Sequence, residues 1–380
     1  MPSERVNRIE KSATLRISDL ANKLKRSGKD VISFSVGEPD FATPQHIMDA
    51  AKKALDEGKT HYTPSAGIPE LREAIANKFK ENGISASVDN IIVTPGAKQA
   101  IFEVALSILN EGDEAILFDP AWVSYESCVK FACAKPVWVR TDEKRGFIPD
   151  NFLEFITDKT KLIILNTPGN PTGAVFDENT LKMIADIAKD HDILVLSDEV
   201  YEKIIYEGAH ISIASFNGMH ERTITVNGFS KAYAMTGWRL GYATAPPEIL
   251  DAMLKIQQHS TSCATSFAQY GAVAALTGAQ DCIAGMVSEF RARRDLMVNG
   301  LKSMGFECVK PKGAFYVFVN VDQYRDGMSV AERLLNEAYV AVTPGGAFGP
   351  SGANYVRISY ATSQARISEG LERIKNVLVR

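Results

Sequence analysis

The chain has 380 residues, 45% of them hydrophobic and 23% charged, and a net charge of −4. That length accommodates two or three domains and buries a core without metal or disulfide help, and the composition excludes disorder, collagen-like repeats and a disulfide-stapled scaffold. The mild acidity gives no overall basic footprint for nucleic acid.

Met1 to Arg26 is charged and has no apolar run of the kind that opens a secretion signal. Thr43 is placed to cap, and Pro44 to open, a helix through Ala50, Ala51, Ala54 and Leu55 that stops at Gly58. The next helix puts Ile68, Leu71, Ile75 and Phe79 on one face and stops at Gly83. Asn90 to Thr94 reads as a buried strand, followed by a helix with Ala97, Ala100, Ile101, Val104 and Ile108 on one face. Further strands are expected at Glu114–Phe118, Pro136–Arg140, Lys161–Leu165, Asp192–Ser197, Arg222–Val226 and Leu240–Thr244. A helix through Leu181, Ile184, Ala185 and Ala188 is the clearest of those between them. The uncharged stretch 256–280 carries Gln257, Gln258, His259, Ser260 and Thr261, too polar for a membrane span. A charged helix, Glu289–Ser303, then precedes strands at Phe315–Val319 and Tyr355–Ile358.

Near-continuous apolar strands alternating with helices describe an α/β fold with its sheet covered on both faces. The expectation is a large domain over residues 45–285 around a mostly parallel seven-stranded sheet. A smaller α+β domain is expected from 1–44 together with 286–380. Five cysteines, an odd number without a C-x-x-C pair, suit reduced thiols in the cytoplasm. The six histidines show no metal-ligand spacing, so no metal is expected. The loop Gly345-Gly346-Ala347-Phe348-Gly349 has no following G-K-[ST] and reads as a mobile segment at a substrate entrance.

Ligands of an open α/β sheet bind beyond the carboxyl ends of its strands. After Asn90–Thr94 comes Pro95-Gly96-Ala97-Lys98, entering a helix whose free N–H groups suit a phosphate. The other strand ends carry Asn170, Asp198 with Tyr201, and Ser230-Lys231 followed by Arg239. A lysine amine that is partly neutral condenses with an aldehyde, and a buried aspartate holds a heterocyclic nitrogen protonated. A phenol and an amide bind a phenolate oxygen, while Ser230, Arg239 and the helix start at Gly96 hold a phosphate. The ligand with all these groups is pyridoxal 5′-phosphate.

The run Gly228-Phe229-Ser230-Lys231-Ala232-Tyr233-Ala234-Met235-Thr236-Gly237-Trp238-Arg239-Leu240-Gly241 resembles the lysine-attachment motif of fold-type I aminotransferases of class I/II. Further matches are Val36-Gly37-Glu38-Pro39-Asp40-Phe41, Tyr62 through Leu71-Arg72, Asn170-Pro171-Thr172-Gly173, Ser197-Asp198-Glu199-Val200-Tyr201, Gly313-Ala314-Phe315-Tyr316 and Tyr355-Val356-Arg357-Ile358-Ser359. Gly169 stands where many members of that family carry Asn. The resemblance implies that Lys231 forms the Schiff base and moves the substrate proton. Asp198 would pair with the pyridinium, Tyr201 and Asn170 with the ring oxygen, and Trp122 would stack on the ring. Ser230, Arg239, Gly96 and Ala97 would bind the phosphate, and Arg357 the substrate α-carboxylate with help from Asn170 and the Gly37 backbone. Tyr62 matches a tyrosine that reaches the neighbouring subunit's cofactor, which implies a homodimer with shared sites.

Among the family's members, an aspartate aminotransferase sub-branch uses a lysine at the position of Lys98 and a threonine in a Ser-Ala-Thr run, here Ser12-Ala13-Thr14. A cation at Lys98 pairs with a distal carboxylate and is left unpaired by an aliphatic or aromatic side chain. The expected reaction is ping-pong exchange between aspartate and 2-oxoglutarate; prephenate or an aromatic amino acid fits the same determinants. A β-lyase or decarboxylase keeps the fold and changes the product. A cofactor-binding regulator would need a DNA-binding module, and no basic helix-turn-helix fits before Val31.

Overall fold

The computed structural model describes residues 2–9 and 13–379, apart from the side chains at 13–16 and 18. Two N-terminal helices, α1 (Glu4–Asn7) and α2 (Ala13–Arg26), precede β1 (Ile32–Ser33), α3 (Gln45–Asp56) and α4 (Pro69–Glu81). The chain continues through β2 (Ile91–Thr94), α5 (Ala97–Ile108), β3 (Glu114–Asp119), α6 (Val123–Phe131), β4 (Lys135–Asp142) and β5 (Ile148–Pro149). Next come β6 (Thr160–Asn166), α7 (Glu178–Asp190), β7 (Leu194–Asp198), β8 (Thr223–Gly228) and β9 (Gly241–Thr244). Helices α8 (Pro247–Ser260), α9 (Ser266–Thr277) and α10 (Asp281–Ser303) lead to β10 (Tyr316–Asn320) and α11 (Gly327–Arg333). The C-terminal part holds β11 (Val340–Ala341), β12 (Thr343–Pro344), β13 (Tyr355–Ser359) and α12 (Gln364–Leu378).

The seven strands expected from residue 90 to 244 form one sheet in the order β2-β9-β8-β7-β6-β3-β4, and the two-residue β5 adds an eighth at the edge. Strands β8, β7, β6, β3 and β4 run parallel, while β9 is antiparallel to β2 and β8. Both faces are apolar. Ile92, Leu196, Ile224 and Ala243 pack with Ala100 and Val104 of α5 on one side. Ile91, Val93 and Tyr242 pack with Leu71 and Ile75 of α4 on the other. Alternation along each strand makes this two-sided burial possible. A second core joins Ile32 and Phe34 to Phe290 of α10, Phe315, Tyr316, Val317, Val319, Ile358 and Ile374. Its three-stranded sheet has the order β10-β13-β12, and β1 pairs in parallel with β11. Helix α10 begins eight residues before the charged stretch that announced it, and its 23 residues run without a break through 285 and 286.

Thr43 does not cap a helix. Helix α3 starts behind Pro44 without a side-chain cap. The Thr43 hydroxyl donates to the Ala234 carbonyl at 2.8 Å and accepts the Trp238 indole N–H at 3.1 Å. A tryptophan N–H removed from water needs an acceptor, and that tertiary demand outweighs a local cap. The glycine-rich loop also differs from its expectation. Residues Gly345–Phe348 and Pro350–Asn354 form 3₁₀ turns, with Phe348 fully buried. Among the described residues no helix is long and apolar enough to cross a membrane, and the five cysteines are free thiols.

Candidate active site

A cavity of about 640 Å³ opens at the carboxyl ends of β2, β3, β6, β7 and β8. Its walls carry Gly37, Ala97, Lys98, Trp122, Asn170, Asp198, Tyr201, Ser230, Lys231, Arg239 and Arg357. Residues far apart in the chain meet because most of them end or follow a strand of the one sheet, while Arg357 comes from β13 and Gly37 from the segment after β1.

Gly96 lies directly behind Ala97 as the residue before α5, with φ at +89°. A Cβ on Gly96 would come within 2.3 Å of the Arg239 guanidinium, so glycine lets the cation lie against the helix start. Gly241 serves the same approach, since a Cβ there would sit 2.2 Å from the Ala97 nitrogen. The result is a helix N-terminus and a guanidinium side by side, a pairing suited to phosphate. Arg239 donates to the Thr236 carbonyl at 2.8 Å, and no carboxylate pairs with it among the described residues.

Lys231 donates to the Gly37 carbonyl at 2.7 Å, and burial lowers its ammonium to about 8. Asp198, at the end of β7, is raised by burial to about 6, against the opposing pull of two donors. The Tyr125 hydroxyl reaches its Oδ2 at 2.6 Å and the Val200 N–H its Oδ1 at 3.3 Å. Asn166 holds the same strand end through the Asp198 carbonyl at 2.9 Å. Tyr201 shares a hydrogen bond of 2.8 Å with Tyr316.

Arg357, on β13, is buried and donates to Asn170 Oδ1 at 3.0 Å and to the Ser35 carbonyl at 2.6 Å. Its guanidinium lies 4.5 Å from the Tyr316 ring centre and 5.0 Å from that of Phe348. Among the described residues its Nε has no partner and no carboxylate pairs with the guanidinium. Lys98, in the first turn of α5, reaches into the cavity 4.9 Å from the Trp122 ring centre, and desolvation lowers its ammonium.

Two of the sequence-derived positions stand apart. Tyr62 is 89% exposed and lies outside the cavity of its own chain. Ser12 falls outside the described residues, as does the side chain of Thr14. Conversely, Tyr125 and Tyr316 carry contacts that sequence reading did not assign. Tyr125 lies three residues beyond Trp122, which precedes α6, and their rings meet at 5.4 Å; that spacing was the available signal. Tyr316 lay within a quoted motif, but its meeting with Tyr201 across 115 residues is a tertiary fact.

Behind β7 lies a buried polar group. Ser197 and Glu199 alternate with Asp198 and point to the opposite face. Glu199 accepts from Ser197 at 2.9 Å and Ser212 at 2.6 Å and meets His210 at 2.8 Å. Glu202 takes Lys78 and Asn82 from α4 and its end. Glu199, Glu202 and His210 converge closely enough to ligate a cation, but the Lys78 ammonium already fills that role. Opposite charges here are paired within the protein, unlike those of the cavity.

Residues 29–374 match the sequence profile of the family described as aminotransferase class I and II. A probable aspartate aminotransferase of Methanocaldococcus jannaschii is 48% identical to this chain, over 99% of this chain and all of the relative. An aspartate/prephenate aminotransferase of Thermus thermophilus is 45% identical over 100% and 99%. The solved aspartate aminotransferase from Thermus thermophilus with maleate superposes with a TM-score of 0.96, at 44% identity and full coverage of both chains. The α/β sheet, the cavity at its strand ends and the order of the motifs thus have one origin: the chain belongs to the class I and II aminotransferases and is an amino-group transferase.

Proposed function

We propose that the chain moves amino groups between aspartate and 2-oxoglutarate, forming oxaloacetate and glutamate, with pyridoxal 5′-phosphate as cofactor. One observation carries the reading: desolvated Lys231 and buried Asp198 line the same cavity as Arg239 and Arg357, two guanidiniums without carboxylate partners among the described residues. The residues fit the cofactor. Gly96, Ala97, Ser230 and Arg239 would hold its phosphate, Asp198 its ring nitrogen, Tyr201 and Asn170 its ring oxygen, and Trp122 its ring face. When bound, the cofactor supplies an electron sink for charge left on the substrate's Cα.

Lys231 provides the attaching amine and carries the proton at the substrate's Cα. A lysine near 8 keeps a useful neutral fraction at physiological pH, which an ordinary solvated lysine lacks. Asp198 is a buried carboxylate that two hydrogen bonds compensate only in part, and a protonated ring nitrogen would neutralise it. Arg357, braced by Asn170 and Ser35, offers its unpartnered Nε and guanidinium edge to the α-carboxylate. Lys98 serves the second carboxylate, and Gly37 and Thr14 belong to the substrate's surroundings.

The test is a half-reaction screen of the purified protein by absorbance. Protein supplied with cofactor turns yellow, and aspartate shifts the band as amino transfer proceeds. Lys98→Ala lowers kcat/KM for aspartate about 30-fold, the equivalent of about 2 kcal/mol for a partly solvated charge contact, and leaves alanine turnover nearly unchanged. Equal losses for both would overturn the specificity reading, and protein that stays colourless with added cofactor would overturn the cofactor reading. A second reading, prephenate or an aromatic amino acid, is favoured by the Trp122 ring beside Lys98, and the same screen includes these substrates. Ammonia, CO₂ or alanine as product would mark a lyase or decarboxylase instead.

Three coarser assignments belong to this reading. The large domain spans 45–285, and the small one joins 1–44 to 286–380, in keeping with the packing of Phe34 against Phe290 and Phe315 in one core. Two copies pair so that the exposed Tyr62 of each reaches the other's cofactor phosphate. Free cysteines suit a reducing cytoplasm.

A further inference from the structure

Asp119 ends β3, three residues before Trp122, and is buried without taking part in the chemistry above. Its Oδ2 accepts the Ser351 N–H at 2.9 Å and its Oδ1 the Ser351 hydroxyl at 2.8 Å. The Ala121 N–H donates to the Phe348 carbonyl at 2.7 Å. Three hydrogen bonds therefore tie the segment leading into Trp122 to residues more than 220 positions away. Gly349 makes the approach possible. Its φ is +130°, and a Cβ there would come within 2.4 Å of Asp119 Oδ1. Phe348, fully buried, places its ring 5.0 Å from the Arg357 guanidinium. The carboxylate gives each of the two Ser351 donors an oxygen of its own.

We propose that Asp119 is a positioning residue for substrate binding: by clamping residues 348–351 it sets Phe348 against Arg357 and fixes the direction of the guanidinium. The assignment rests on Arg357 as the α-carboxylate clamp. A guanidinium held in one direction meets a carboxylate as a fork, whereas one free to tilt loses the second hydrogen bond. That loss falls on substrate and transition state alike, so it appears in KM rather than kcat.

The experiment compares holoenzymes carrying Asp119→Ala, Ser351→Ala, Gly349→Ala and Arg357→Lys with the unaltered chain, measuring KM, kcat and Tm. Asp119→Ala raises KM for aspartate about 10-fold with kcat within about threefold, and Ser351→Ala and Gly349→Ala move KM in the same direction. Combining Asp119→Ala with Phe348→Leu raises KM little beyond the larger single effect, because both act through one contact. If Arg357→Lys raises KM while the latch variants leave it within twofold, the latch proposal falls and the clamp stands. If Arg357→Lys leaves KM unchanged, both fall. A lower Tm or kcat without a rise in KM likewise overturns the latch. Should Asp119→Ala fail to fold, Ser351→Ala and Gly349→Ala decide the matter.

Discussion

Burial raises the Asp198 carboxyl to about 6 from an ordinary 3.8, so the cofactor-free chain holds an anion that water would solvate better. For an acid raised on folding, the penalty is absent below the unfolded value, grows between the two and is complete above the folded one. Here the window runs from 3.8 to about 6, and the full penalty is about 3 kcal/mol. Asp198→Asn is therefore expected to raise the Tm of cofactor-free protein at pH 7.5 and to leave it nearly unchanged at pH 4. Transamination by the same variant is expected to fall steeply, since the neutral amide gives up the anion proposed to pair with the ring nitrogen; thermal scans and half-reactions measure the two effects. The strand-end positions of Asp198 and Lys231 were legible in the sequence, whereas Arg357 was picked out only by the family resemblance. The contacts that tune them were not legible. Tyr125 reaches Asp198 across 73 residues, and nothing local to either marks the meeting.

Periodicity carried most of the elements, since apolar faces on α4, α5 and α7 were visible as spacing alone. It does not reveal a polar residue turned inward. Glu103 of α5 is fully buried, with Gln99 donating to one oxygen at 2.9 Å and the other oxygen unpartnered among the described residues. Burial raises it from 4.5 to about 7. The folded chain then binds a proton that the unfolded chain releases, so stability falls as pH rises through that window. Glu103→Gln is expected to stabilise the chain by about 3 kcal/mol above pH 7 and by little below pH 4.5. Urea midpoints at pH 4.5 and pH 8 measure the difference, and equal shifts at both would contradict it. Element ends were legible where a local rule acted alone, as with Pro44 before α3. They were misread where a distant partner competed, as with the Thr43 hydroxyl and the Trp238 indole.

The whole molecule binds its layers together through buried charges as well as apolar surface. Lys78 on α4 pairs with Glu202, beyond β7, with both side chains nearly dry. Lys78→Met would strand Glu202 beside Glu199, and the loss expected is about 3–5 kcal/mol, read from a urea or thermal transition. Simultaneous replacement of Lys78 and Glu202 by apolar residues should cost less, because no charge is then left unpaired. At the level of the assembly, the proposed homodimer predicts twice the chain mass in sedimentation. Tyr62→Phe should weaken cofactor retention, and mixing it with a Lys231→Ala chain should restore part of the activity through hybrid dimers. A monomer that keeps full activity would remove that proposal.

By itself the amino-acid sequence determined the alternation of strands and helices, the residue types at each strand end and the family to which they belong. Those are local properties, set by side-chain spacing and by the few conformations that Gly and Pro allow. Only the tertiary structure decided which distant groups face one another: Tyr125 with Asp198, Tyr316 with Tyr201, Asp119 with Ser351, and Lys78 with Glu202. Such pairs depend on how twisted sheets and helices close against each other, and a hydrogen bond has no signature along the chain when its partners lie 73 to 232 residues apart.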